Sequence, residues 1–116
     1  MTVEEYKSQL KPVKKSKYRN IKVELNGIHF DSKKEAAQYK KYLLLKKVGE
    51  ITDFQMQVRY DLAINGVKLG FYKADFVVTW KSGLVRVVDV KGIRTPVYIL
   101  KRKLMLAIWG IKILEL

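Results

Sequence analysis

The stretch from Phe71 to Gly92, FYKADFVVTWKSGLVRVVDVKG, constrains this chain more than any other. Two apolar runs flank the breaker Lys81-Ser82-Gly83, a pattern that predicts a β-hairpin. With those three residues as the loop, Trp80 faces Leu84, and the same register carried outward sets Asp75 directly opposite Asp89. Side chains alternate along a strand, so Lys91 shares the face of Asp89. Directly opposed Cβ atoms lie roughly 4.5–5.5 Å apart. Two carboxylates that close repel each other, and something positive must offset the cost. A divalent cation with Lys91 beside it meets that need with the fewest groups.

The second run is apolar on both faces. Val85 and Val87 lie with Asp89, while Leu84, Val88 and Val90 lie on the other side. A strand of that kind is central and covered on both sides. Asp89 and Lys91 stand at its far end, where charge makes sense only if it is paired or carries function. A plain Asp89–Lys91 ion pair is the simpler alternative, but it leaves Asp75 unexplained.

The rest of the chain supplies a framework for this hairpin. Residues 1–17 mix charges and then concentrate Lys11, Lys14, Lys15 and Lys17 around Pro12, which predicts a flexible basic arm. Its lysines suit phosphate contact, and equally a solvated terminus. Asn26-Gly27 and Asn65-Gly66 are two-residue hairpin turns. His29, the single histidine, falls in a short strand and reads as packing or surface. Ser32-Lys33-Lys34-Glu35 has the form of a capping box, and Ala36, Tyr39, Leu43 and Leu44 recur near the helical period. Gly49 ends that helix. In Phe54 to Leu62, the residues Phe54, Met56, Val58 and Tyr60 alternate with polar ones, and Gly70 is a candidate bulge. Thr95-Pro96 opens a second helix, to about Ala107 or Ile108, with Val97, Leu100, Leu104 and Ala107/Ile108 as its core stripe. Gly110 breaks it, and Ile111 to Leu116 reads as a last strand. The order is helix, three antiparallel strands, helix, strand.

Composition narrows the partners. The chain has 116 residues, 48% hydrophobic, enough for one domain with a real core. Twenty-four Lys and Arg face 11 Asp and Glu, a formal charge of +13, and so basic a balance points to nucleic acid. There is no cysteine, which removes disulfides, thiolate zinc sites and a cysteine nucleophile, and agrees with a reducing cytoplasm. No signal peptide or membrane-length apolar run is visible.

Asp75, followed by Asp89-Val90-Lys91 on the next strand, resembles the D…(D/E)-x-K signature of the PD-(D/E)XK nuclease superfamily. Alanine stands where a proline usually precedes the first Asp. Beyond the signature, FDSKKEAAQYKKYLLLKKVGEITDF, QVRYDL, YKADFVV and VVDVKG are similar to a small group of bacteriophage and prophage nucleases, over roughly Lys17 to Leu116. The resemblance implies an α/β restriction-endonuclease-like core, α-β-β-β-α-β, with a mixed central sheet flanked by helices and occupying residues 18–116. It implies a Mg²⁺-dependent DNA endonuclease, with Mn²⁺ able to substitute, in a bacterial host's cytoplasm. Asp75, Asp89 and the Val90 backbone carbonyl would hold the metal. Lys91 would orient the attacking water or steady charge on the phosphate, and Glu35, on the first helix, would complete the shell. Glu35 is equally well placed as the N3 residue of its capping box.

A glutamine often found near such sites matches Gln57. The register from the Asn65-Gly66 turn sets it opposite Ala74, off the Asp75 face, unless a bulge near Gly70 intervenes. Lys101, Lys103 and Tyr98 on the second helix, with Lys14 and Lys15 on the arm, are the expected DNA contacts, although a solvated basic face explains the helical lysines too. Related junction-resolving enzymes admit branched or recombining DNA as substrate, and a homodimer would cut both strands. No small-molecule cofactor is implied. The competing reading is a DNA-binding or interaction protein on a nuclease scaffold that does not cleave. An RNA module is weaker, for want of aromatics interleaved with basic residues on one strand.

Overall fold

The computed structural model describes residues 23–90 and 94–116. The basic arm with Lys14 and Lys15, and Lys91 of the signature, lie outside the described residues. Two compact units divide the chain, Met1–Lys41 and Tyr42–Leu116.

In the first unit, β1 (Val23–Leu25) and β2 (Ile28–Phe30) form an antiparallel hairpin with Leu25 opposite Ile28. Its turn residues Asn26 and Gly27 have φ of 52° and 76°, the left-handed pair that an Asn-Gly hairpin turn requires. His29 is exposed, 4.0 Å from Glu24. Helix α1 (Lys33–Lys47), whose residues from Tyr42 onward belong to the second unit, starts where the capping pattern sets it: the Glu35 backbone N–H donates to Ser32 Oγ at 3.1 Å. Its buried positions are Glu35, Ala36, Tyr39 and Tyr42. Leu43 and Leu44, expected in the stripe, are instead 37% and 60% exposed. The spacing was right and the phase was off by one residue, because Tyr42 is as apolar in body as its neighbours and fits the same period. Tyr39 packs on Phe30, ring centroids 5.0 Å apart.

The second unit is built on a mixed four-stranded sheet in the order β3-β4-β5-β6. Its strands are β3 (Ile51–Ile64), β4 (Val67–Trp80), β5 (Val85–Asp89) and β6 (Leu114–Glu115). The first three are antiparallel and β5–β6 is parallel. A parallel neighbour needs a crossover, which α2 (Pro96–Leu104) and a π-helical turn (Met105–Trp109) supply. Thr95 caps α2, its Oγ1 accepting from the Tyr98 N–H at 3.1 Å, and Gly110 at φ 67° ends the π turn.

Residues on α2 pack differently from the expected stripe. Val97 and Leu100 are 62% and 56% exposed, whereas Tyr98 and Met105 are buried. They join Leu62, Tyr72, Ala74, Val87 and Ile113 in one core, with Leu104 and Ile108 partly covered against it. On β3, Phe54 contacts Tyr42 of α1 at 5.7 Å, but Tyr60 contacts Trp109 at 5.4 Å. The two lie six residues apart, so regular alternation would send both to one partner. Gln57 lies between them with φ 54°, a left-handed residue that interrupts the pleat.

Candidate functional site

The β4–β5 loop forms as the sequence predicts. Gly83 N–H donates to the Trp80 carbonyl at 2.9 Å, and Trp80 N–H to the Leu84 carbonyl at 2.8 Å. The pairs Phe76↔Val88, Val77↔Val87, Val78↔Arg86 and Thr79↔Val85 keep that register. One step further it sets Asp75 against Asp89, at the end of β5.

Neither aspartate is merely placed there; each is held. Asp89 is 2% exposed, and the Tyr72 hydroxyl donates to its Oδ2 at 2.6 Å. Asp75 is half-buried, and its Oδ2 accepts the Val90 backbone N–H at 2.8 Å. Burial pushes the Tyr72 phenol well above its ordinary range, the bond to Asp89 adds to this, and the charges of Asp89 and Asp75 push the same way. A carboxylate repels a phenolate, so the neighbouring negative charges favour the protonated hydroxyl that donates to Asp89.

A third carboxylate follows on the next strand. Asp89 pairs with Glu115 across β5–β6, and the Asp89 carbonyl accepts the Leu116 N–H at 2.9 Å. Glu115 is clamped by two guanidinium groups, Arg94 Nε and Arg102 Nη1, each 2.9 Å from one of its oxygens. Burial alone would raise its pKa, but hydrogen bonds from Arg94, Tyr98 and Arg102 outweigh that and hold it below the usual value. Tyr98, expected to face DNA, is instead 5% exposed. Its phenol is pushed up first by burial, then by the nearby negative charges of Asp89 and Glu115. Its aromatic body fills the core beneath α2.

Gln57 needs a second correction. The pairs Leu62↔Gly70 and Ala63↔Lys68 leave Leu69 as the extra residue of a bulge. Gly70 takes φ 144° there, which favours glycine over any side chain. Beyond the bulge the register is shifted by one, so Met56↔Phe76 and Val58↔Ala74 bracket Gln57 opposite Asp75, not Ala74. Glu35 is buried, at the start of α1 in the first unit. Lys101 is half-buried, its Nζ 5.2 Å from the Phe71 ring centroid, and Lys103 is exposed.

Sequence reasoning missed Tyr72. It stands three positions before Asp75, so simple alternation assigns it to the opposite face. Only the interruption at Gln57, invisible in residue types, hinted that alternation fails here.

Oxygen donors from two adjacent strands are the chemistry a hard divalent cation takes, and Mg²⁺ fills the rest of its shell with water. Among the described residues, no three His, Cys, Asp or Glu side chains gather as a metal-holding group. Asp75 and Asp89 suit such an ion in donor type.

A family model described as "Protein of unknown function (DUF1064)" matches residues 15–111. The chain belongs to that family. The DUF1064 match takes in both aspartates, Tyr72 and all of α2. No curated protein and no solved structure gives a match. No described helix is long and apolar enough to cross a membrane.

Proposed function

We propose that this DUF1064 chain is a Mg²⁺-dependent DNA endonuclease with a restriction-endonuclease-like core. The observation that carries the reading is the seating of Asp75 and Asp89 on neighbouring strands, each accepting a hydrogen bond on Oδ2. Two carboxylates gathered at a strand end repel each other, and a divalent cation is one group that offsets the repulsion. The formal charge of +13 supports a polyanionic substrate.

When bound, Mg²⁺ would supply charge to the phosphate and lower the pKa of a water. Asp75 and Asp89, with the Val90 carbonyl, would hold it. Tyr72 fixes the Asp89 carboxylate in one orientation, and the Val90 N–H fixes that of Asp75. Lys91, two residues beyond Asp89, would steady negative charge developing on the phosphate. Gln57, opposite Asp75 in the strand register, would orient a water or a phosphate oxygen.

The test is a cleavage assay on linear, supercoiled, flapped and four-way DNA with Mg²⁺, Mn²⁺ or chelator. Cutting that needs the metal and disappears in both Asp75→Asn and Asp89→Asn is expected. Equal cutting by wild type and variants, or none on any substrate, would remove the assignment.

A further inference from the structure

The outer half of the β3–β4 hairpin, Gln57 and Tyr72 apart, has no part in the chemistry just described. β5 pairs with β4 only over Phe76 to Thr79, so among the described residues the hairpin continues past Asp75 as a two-stranded ribbon. Residues 57–74 of that ribbon carry Arg59, Lys68 and Lys73 against one acid, Asp61. Phe71 stands among them, 39% exposed. Arg59 holds its guanidinium carbon 4.1 Å from the Phe71 ring centroid, and Lys101 reaches across from α2 to 5.2 Å. Arg59 also gives Nε to Asp61 at 3.0 Å.

An exposed phenylalanine with two cations on it is not a core device. Cation–π contacts hold long basic side chains in place, and fixed cations lose less side-chain freedom when they meet a partner.

We infer that Arg59, Phe71 and Lys101 form a station on the β3–β4 ribbon that grips the phosphate backbone of duplex DNA, outside the cleavage centre. Arg59 and Lys101 make the phosphate contacts, and Phe71 keeps them in position without touching DNA charge itself. The inference rests on the DNA reading above and extends it to where the duplex lies.

The experiment measures binding of a labelled duplex by fluorescence anisotropy, in chelator, across a salt series. Wild type is compared with Arg59→Gln/Lys101→Gln and with Phe71→Leu, each checked for folding by circular dichroism and for self-association by sedimentation. Each lost phosphate contact lowers the salt slope by about 0.9, so the double variant is expected to lose about 1.8 from its slope. Phe71→Leu keeps every charge and is expected to keep the slope while losing roughly two- to five-fold in affinity per contact. An unchanged slope in the double variant overturns the inference. So does a change in self-association without a change in DNA affinity, which would make the ribbon an interface between copies. Chelator removes cleavage from the readout, so a failure here leaves the nuclease reading to be judged by the cutting assay, and the reverse.

Discussion

Tyr72 is the residue on which the candidate centre turns. Its hydroxyl is the donor that satisfies a buried Asp89 oxygen, and leaving a buried acceptor unmatched costs roughly 1–3 kcal/mol. Tyr72→Phe should therefore lower unfolding stability by about that much, read from urea transitions. The pH dependence adds a signature. The folded-state pKa of this phenol is raised, so its contribution is fully present below the ordinary tyrosine value near 10. It is lost as pH rises past that value. The stability gap between wild type and Tyr72→Phe should be flat through neutral pH and narrow above pH ~10; a gap that widened there would reverse the assignment. Glu115 has the opposite sign. Its pKa is lowered by its guanidinium and phenol partners, so its contribution is present above the ordinary glutamate value and fades as pH falls through the folded one. Glu115→Gln should cost stability at neutral pH and progressively less on acidification, measured by urea transitions from pH 7 down to about 3.

At the level of elements, what the residues dictated locally came through intact. The two Asn-Gly turns, the Ser32 cap, the Thr95-Pro96 start of α2 and the Lys81-Ser82-Gly83 loop are each fixed by a few adjacent residues, and each lies where its chemistry puts it. The loop carries the β4–β5 register, so the placement of Asp75 against Asp89 was legible. What was not legible depended on distant packing. Helical period gives the spacing of a buried stripe but not its phase, so Tyr42 took the place of Leu43, and Tyr98 and Met105 that of Val97 and Leu100. Alternation likewise fails to report Tyr72 and Tyr60, because Gln57 at φ 54° breaks the pleat. The register correction at Gln57 depends on the Gly70 bulge. Gly70→Ala puts a side chain at φ 144°, and a residue forced into such a region costs about 1–3 kcal/mol. The expected result is a loss of that size by urea denaturation, with cross-strand nuclear Overhauser contacts showing the Gln57–Asp75 register weakened. Unchanged stability and register would mean that the bulge does not depend on glycine.

For the molecule as a whole, three strands carry carboxylates to one row, Asp75, Asp89 and Glu115, and the chain treats them differently. Glu115 is clamped by two arginines. Asp75 accepts the Val90 N–H and Asp89 the Tyr72 hydroxyl, each on Oδ2, which fixes how the two carboxylates are turned.

The most direct measurement is manganese binding followed by electron paramagnetic resonance, with wild type, Asp75→Asn, Asp89→Asn and Glu115→Gln compared at equal concentration. The account predicts a saturable site in wild type that persists in Glu115→Gln and is lost in either aspartate variant. No saturable site in the wild type, or one that survives both aspartate replacements, would contradict it.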